Sequence, residues 1–386
     1  MLSRLWLLFA QATTVGLALL FIVATLKPQW LRDAPALASP PQVTIQQAAA
    51  PETPRVASAR SYAEAARRAM PAVVSVYTTK ELRRTPALED PIFDRFFGDR
   101  LPGHGERVAG LGSGVIAAAE GYVLTNNHVV QAADEIAVAL ADGRKVAATL
   151  VGADPETDVA VLRIEARDLP VITLGASDSL NVGDVVLAIG NPFDVGQTVT
   201  MGIVSAVGRN NLGINRYENF IQTDAAINQG NSGGALVDAA GNLVGINTAI
   251  YSRSGGSIGI GFAIPTAIVT EVMKDLIAKG RVTRGYFGIE PVDITPELVA
   301  ALKLRRPQGV VVRGVQRSAP AGNAGMEPGD VLLSINDVPV RDTPGMLNQI
   351  ARLAPGSQAR VRVERDSREV ELNVTVGERP VPQERR

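Results

Sequence analysis

From about Ser61 to Gly280 the chain sets short β-branched runs against polar breaks. The runs include Val73 to Val76, Ile136 to Leu140, Val159 to Leu162, Val185 to Ile189 and Leu243 to Ile246, with breaks such as Asp142-Gly143 and Ala240-Gly241-Asn242 between them. Short runs of this kind, without helical stretches between them, predict an all-β barrel or sandwich rather than βα units. The stretch from Glu81 to Val108, with Pro86, Pro91, Pro102 and Gly103, breaks the rhythm and predicts a long surface loop. Apolar positions then shift to helical spacing at Ile268, Val269, Val272, Met273, Leu276 and Ile277, and Lys279-Gly280 supplies a stop. After Arg284 the pattern restarts with strands at Val310 to Val315 and Val331 to Ile335. A short helix follows with Met346, Leu347, Ile350 and Leu353 on one face, then a hairpin turning at Asp366-Ser367. No internal repeat is seen, so this second domain is present once.

The N-terminal pattern is of a different kind. Leu5 to Leu26 carry no charge between Arg4 and Lys27, which is the length of a bilayer-spanning helix. The apolar core of a cleaved signal is shorter, and the nearest small-residue site, Ala36-Leu37-Ala38, lies well past the segment. An uncleaved anchor is therefore expected. Arg4 against Lys27 and Arg32 gives little charge asymmetry, and an N-in topology is the expectation. The domain plan is an anchor at 5–26, a proline-rich tether at 27–60, a β domain at 61–280 and a second domain at 281–379.

Length agrees with several domains, since a chain of 386 residues exceeds what one core usually serves. The near balance of 38 basic and 39 acidic residues leaves no basic footprint, so nucleic acid is not an expected partner. There is no cysteine, and His104 and His128 are the only imidazoles, which removes disulfides and thiolate nucleophiles and makes a zinc site improbable. No metal and no cofactor are expected.

The sharpest chemical signal is Gly230-Asn231-Ser232-Gly233-Gly234. Acyl transfer needs an exposed hydroxyl and two backbone amides aimed at the developing oxyanion, and glycines allow the tight turn that arranges them. The amides of Gly230 and Ser232 are the expected donors; the plain alternative is a polar turn between strands. A serine needs a base, and His128, after the apolar strand ending at Thr125, is better placed than His104 in the Pro- and Gly-rich loop. Asp158, at the lip of the run Val159 to Leu162, is the expected carboxylate partner, while Asp154 beside Pro155 and Asp224 read as ordinary turn residues. The Gly-rich stretches Gly110 to Gly114 and Gly255 to Gly261 do not open a helix after a strand, so nucleotide binding is unsupported.

The chain order His, Asp, Ser is that of trypsin-like double barrels. Thr125-Asn126-Asn127-His128, Thr157-Asp158-Val159-Ala160-Val161-Leu162, Gly190-Asn191-Pro192, Gly230 to Gly234 and Gly261-Phe262-Ala263-Ile264-Pro265 together resemble the HtrA family of trypsin-like serine proteases, over about Ser61 to Glu378. The resemblance implies a mostly β chain: a double β-barrel protease domain, one PDZ-like domain and an N-terminal transmembrane helix. One anchor with one PDZ-like domain is most similar to the DegS/AlgW-like regulatory site-1 branch. That branch implies a homotrimer in the periplasm, tethered to the bacterial inner membrane and cleaving an anti-sigma factor. C-terminal peptides of misfolded outer-membrane proteins would activate it in the envelope stress response. The resemblance also implies a carboxylate-binding loop at Tyr286-Phe287-Gly288-Ile289, Ile227 at the primary specificity pocket, and Phe193 and Arg209 as residues coupling peptide binding to the oxyanion loop. This loop departs from the commoner Gly-Leu-Gly-Phe form, which leaves its ligand preference open. Two alternatives remain open: a general degradative protease and chaperone of the envelope, and a non-catalytic, membrane-tethered peptide-binding scaffold.

Overall fold

The computed structural model describes residues 6, 11–18, 21, 25–26, 61–81, 107–131, 133–191, 196–250, 256–302 and 308–380. The positions up to Val43 form a unit of their own. Within it, 11–18 are helical and exposed, and Thr25 Oγ1 donates to Phe21 O at 2.7 Å. Among the described residues no helix is long and apolar enough to cross a membrane. Much of the anchor expected at 5–26, and all of the tether at 27–60, lie outside the described residues.

After a short helix α1 (Ala63–Ala69), six strands close a first barrel: β1 (Val73–Glu81), β2 (Arg107–Ile116), β3 (Tyr122–Thr125), β4 (Glu135–Ala139), β5 (Lys145–Asp154) and β6 (Val159–Ile164). They are hydrogen-bonded in the order β1-β2-β3-β6-β5-β4. Val74, Val76, Ile116, Val123, Val138, Leu162 and Ile164 fill its interior. β-branched side chains are restricted at χ1 and pack well on a pleated surface, which is why the runs read from the sequence become its walls. The loop expected from Glu81 to Val108 is shorter at both ends, because β1 extends to Glu81 and β2 starts at Arg107; residues between them lie outside the described set.

The second barrel repeats the closure with β7 (Val185–Gly190), β8 (Thr198–Arg209), β9 (Phe220–Thr223), β10 (Ala235–Asp238), β11 (Leu243–Ile250) and β12 (Gly261–Pro265). Their order is β10-β11-β12-β9-β8-β7, around Val186, Val204, Ile221, Leu236 and Val244. In the first barrel, a single helical turn α2 (Asn127–Val130) follows β3 and buries Val129 and Val130 in that barrel's core. Helix α3 (Thr266–Lys279) follows β12, buries Val269, Val272, Met273 and Leu276, and stops at Gly280, which takes φ 69° and donates its amide to Leu276. A left-handed glycine cap is the end that Lys279-Gly280 predicted.

The C-terminal body holds β13 (Gly285–Tyr286), β14 (Ile289–Asp293), α4 (Pro296–Leu302), β15 (Val310–Val315), α5 (Pro320–Asn323), β16 (Val331–Ile335), β17 (Val338–Pro339), α6 (Thr343–Ala351), β18 (Gln358–Arg365), β19 (Arg368–Thr375) and β20 (Gly377–Glu378). The main sheet runs β14-β15-β16-β18-β19, with β17 against β16, while β13 pairs with β20. The β18–β19 hairpin turns on Asp366 and Ser367 at φ 49° and 62°, the two left-handed residues that a tight type I′ turn requires. Helix α6 is capped by Asp342, whose Oδ1 accepts from the Gly345 amide at 2.7 Å. The helix ends before Leu353, which still packs against the core formed by Phe287, Val310, Leu332, Met346 and Val361.

A buried cluster of charge joins this body to the first barrel. Arg284, just before β13, forks onto both carboxylate oxygens of Asp154 at the end of β5, with Nη1 to Oδ1 at 2.9 Å. Arg379 donates through Nε to Glu156 Oε1 at 2.9 Å, and its amide bonds Arg284 O at 2.9 Å. The Tyr217 ring lies beneath both guanidinium groups, 4.6 Å from that of Arg284 and 5.9 Å from that of Arg379. Asp154 is thus no ordinary turn residue: it is buried, and Thr157 Oγ1 also donates to it. Asp224 does behave as a surface residue, accepting from the Ile203 amide at 2.7 Å.

Candidate active site

His128 enters the site because Asn127–Val130 form one helical turn directly after β3, so its imidazole is fixed by a strand end and not by a free loop. Asp158 stands in the turn between β5 and β6, with φ 62°. Left-handed backbone is rare outside glycine, and Asp and Asn are the residues that tolerate it. The turn is held open in that shape by two bonds to the Asp158 carbonyl, from the Asn127 amide at 3.2 Å and from Asn126 Nδ2 at 2.9 Å. Its carboxylate then faces His128: Oδ2 meets Nδ1 at 2.7 Å, and Oδ1 accepts the His128 amide at 2.9 Å. Two contacts from one carboxylate fix both the ring and its backbone.

Nδ1 facing a carboxylate carries a proton, which leaves Nε2 as the basic nitrogen. Both partners are buried, so the pair works away from bulk water. A third bond completes Asp158, from Thr248 Oγ1 to Oδ2 at 2.6 Å. Thr248 also meets the serine: Ser232 Oγ donates to Thr248 O at 3.2 Å. Serine and carboxylate are therefore joined through one residue of β11. Sequence reasoning passed over Thr248, since a lone threonine in an apolar strand carries no local signal.

The turn around Ser232 is tightly held. The Gly233 amide bonds Asn247 O at 2.8 Å and the Gly234 amide bonds Asn231 O at 2.9 Å. A Cβ at Gly233 would lie 2.1 Å from Ser113 O, so the chain can pass β2 only with glycine there. Gly230 sits at φ 97° with its carbonyl accepting Ser113 Oγ at 2.6 Å. Gly230 and Ser232, the residues expected to supply the oxyanion amides, thus lie in a turn whose Gly230 and Asn231 carbonyls are both hydrogen-bonded.

The other residues read from the sequence are distributed as follows. Ile227 is buried in the second barrel, close enough to β12 that a Cβ on Gly261 would fall 2.8 Å from its Cδ1. Arg209, at the end of β8, donates through Nε to Gln222 Oε1 at 2.8 Å. Phe193 and His104 lie outside the described residues. In the C-terminal body Tyr286 Oη bonds Gln316 Oε1 at 3.0 Å, Phe287 is buried, and Ile289 opens β14. Gly288 has φ 77°, and a Cβ there would stand 2.1 Å from that of Ala319. These four residues therefore span the connection from β13 to β14, more than a hundred positions from His128 in the chain but only a few from Arg284.

Comparison with known proteins points the same way. Residues 112–246 match the family model for a trypsin-like peptidase domain, and 285–376 match that for a PDZ domain. The chain is 44% identical over 329 residues to a probable periplasmic serine endoprotease, DegP-like, of Ectopseudomonas mendocina, covering 81% of this chain and 69% of that relative. It is 46% identical over 297 residues to a protein of the same description from Chlamydia muridarum, covering 75% of this chain and 59% of the relative. The chain thus spans about three fifths to seven tenths of the length of these relatives. Among solved structures it is similar to the HtrA-type protease AlgW with a decapeptide, at 57% identity and a TM-score of 0.72, covering 83% of this chain and all of that one.

Proposed function

This chain belongs to the HtrA-type family of serine endoproteases, and from that premise we propose that it is a serine endopeptidase with His128, Asp158 and Ser232 as its working residues. The observation that carries the reading is the double contact of Asp158 with His128, at 2.7 Å to Nδ1 and 2.9 Å to the amide, beside a serine that shares Thr248 with the carboxylate.

His128 Nε2 takes the proton of Ser232 as Oγ attacks the scissile carbonyl. The tetrahedral oxyanion is met by the amides of Gly230 and Ser232, and Asp158 stabilises the imidazolium without itself taking the proton. The imidazolium then protonates the leaving amine, and water, deprotonated by the same nitrogen, releases the acyl group. Ile227, buried beside Gly261, supports a primary pocket for small or medium apolar residues.

The second domain receives a peptide C-terminus by strand addition, with its carboxylate at Tyr286-Phe287-Gly288-Ile289. Gly288, with no room for a side chain beside Ala319, supports a close backbone approach there. The likeness to a peptide-bound HtrA-type protease supports regulation by such peptides. On this reading the domains are the anchor at 5–26, the linker at 27–60, the protease domain at 61–280 and the PDZ domain at 281–379. The protein works as a periplasmic homotrimer tethered to the inner membrane. C-terminal peptides of misfolded outer-membrane proteins activate it, Phe193 and Arg209 pass the signal to the oxyanion loop, and an anti-sigma factor is cut. The DegP-like descriptions of the curated relatives favour a second reading, a general degradative protease with chaperone activity.

Fluorophosphonate should label the wild type at Ser232, and Ser232→Ala should lose on the order of 10⁶-fold in turnover because such groups act as a unit. Unlabelled wild type, or peptidase activity surviving in Ser232→Ala, refutes the assignment and favours a peptide-binding scaffold. Cleavage of an anti-sigma periplasmic domain only when a C-terminal peptide is added supports the regulatory reading. Digestion of unfolded casein without peptide supports the degradative one.

A further inference from the structure

Ser113 lies in β2 within Gly110-Leu111-Gly112-Ser113-Gly114. It has no solvent exposure and meets four groups. Its amide donates to Ser232 O at 2.8 Å, and its hydroxyl donates to Gly230 O at 2.6 Å. The same hydroxyl accepts the Asn191 amide at 2.9 Å, and Ser113 O accepts Thr125 Oγ1 at 2.7 Å. Gly230 and Ser232 are the two residues whose amides receive the oxyanion in the mechanism above. One side chain and its own backbone thus grip both of them by their carbonyl oxygens.

We infer that Ser113 is a positioning residue that holds the oxyanion hole open, an inference that rests on the serine endopeptidase reading. A hydroxyl has one hydrogen, and here its use is forced. The Gly230 carbonyl can only accept and the Asn191 amide can only donate, so the hydrogen must point at Gly230. Gly230 is the position that most needs an external hold. It lacks a Cβ and sits at φ 97°, so sterics alone set almost no barrier to rotation of its peptide groups. The Gly230 carbonyl belongs to the Gly230–Asn231 peptide, which links the two peptides that carry the oxyanion amides. Without the bond from Ser113 Oγ this link keeps the bond from the Asn231 amide to Asn228 O at 3.0 Å but can turn about Gly230, and the Gly230 amide leaves the oxyanion position. The Ser232 amide stays, because the carbonyl of its own peptide, Asn231 O, accepts the Gly234 amide at 2.9 Å, a bond that does not depend on Ser113. One donor of two is lost.

The test compares Ser113→Ala with Ser75→Ala. Ser75 Oγ accepts from Asn191 Nδ2 at 2.6 Å, so its loss removes another buried hydroxyl from the same asparagine without touching Gly230. Loss of one oxyanion donor predicts a fall in kcat of about 10²-fold or more in Ser113→Ala, with KM nearly unchanged. Affinity for a peptide boronate, whose tetrahedral adduct places an oxygen in the hole, should fall by the same factor as kcat/KM. Ser75→Ala should keep kcat and boronate affinity while losing thermal stability. If Ser113→Ala does not fold, Ser113→Cys keeps the shape with a weaker donor and should show a smaller, parallel loss in both measures. Wild-type kcat in the Ser113 variants overturns the inference. So does a fall in kcat shared by Ser75→Ala, or one without loss of boronate affinity. Fluorophosphonate labelling of the wild type separates the two levels. An unlabelled Ser232 removes the endopeptidase reading itself, whereas a labelled one with fully active Ser113→Ala removes only this role.

Discussion

Replacing Arg284 with methionine tests how the C-terminal body is held to the first barrel. Arg284 and Asp154 are both buried, with side-chain exposures of 9% and 5%, so neither charge is served by bulk water. Arg284→Met keeps much of the apolar stem but removes the guanidinium from over Tyr217 and leaves the Asp154 carboxylate with Thr157 Oγ1 as its remaining side-chain donor among the described residues. Breaking a buried pair by removing one partner costs about 3–5 kcal/mol, because an uncompensated charge is left behind. Removing both charges is a different matter, since a well-packed apolar replacement is often neutral. Asp154→Leu combined with Arg284→Met should therefore recover most of the loss. The chain has several cooperative units, so a single unfolding free energy is poorly defined and calorimetric midpoints at one scan rate are the better measure. A cost of this size lowers a midpoint by roughly 6–20 °C for a unit of 150–250 residues. A shift of less than about 2 °C in Arg284→Met, or a double variant no more stable than the single one, would refute the claim that this pair is buried and unscreened.

Thr248→Val should lower kcat by roughly tenfold or more, since a hydrogen bond to a charged group contributes about 1.5–3 kcal/mol and this one steadies Asp158 as the imidazolium forms. Steady-state kinetics with a chromogenic peptide checks it. Burial raises the Tyr217 phenol above its ordinary value, the folded state keeping a proton that the unfolded chain gives up. Stability from this group is then complete below about pH 10 and falls as pH rises further, at up to about 1.4 kcal/mol per pH unit, and Tyr217→Phe should remove that part of the alkaline slope in urea melts. Gly288→Ala should abolish binding of a C-terminal peptide in a fluorescence-anisotropy titration, because the left-handed φ and the neighbouring Ala319 both oppose a methyl group.

Much of the architecture could be read from the chain because its signals are local. Val159 to Leu162 and Leu243 to Ile246 are β-branched runs that become barrel walls, and Gly280 and Asp366-Ser367 mark ends whose backbone angles only certain residues adopt. The pairing of β13 with β20 left no such mark, since two residues at each end of a domain form no period. The site divides in the same way. His128, Asp158 and Ser232 stand in distinctive neighbourhoods and their chain order is informative, whereas Thr248 and Ser113 are ordinary hydroxyls whose importance depends on partners 90 and 117 positions away. Asp154 misled for the same reason: Pro155 beside it suggests a turn, and the guanidinium that buries it lies 130 residues downstream.

The backbone angle at Asp158 makes that codon unusually unforgiving. Asparagine and glycine fit a φ of 62° but bring no negative charge, while glutamate brings the charge on a longer arm and on a backbone that resists the twist. Conformation and electrostatics each admit a small set of residues, and the two sets overlap at aspartate alone. A saturation library at this position, selected for peptide cleavage, should therefore return a single amino acid, with no gradient of partly functional neighbours leading to it.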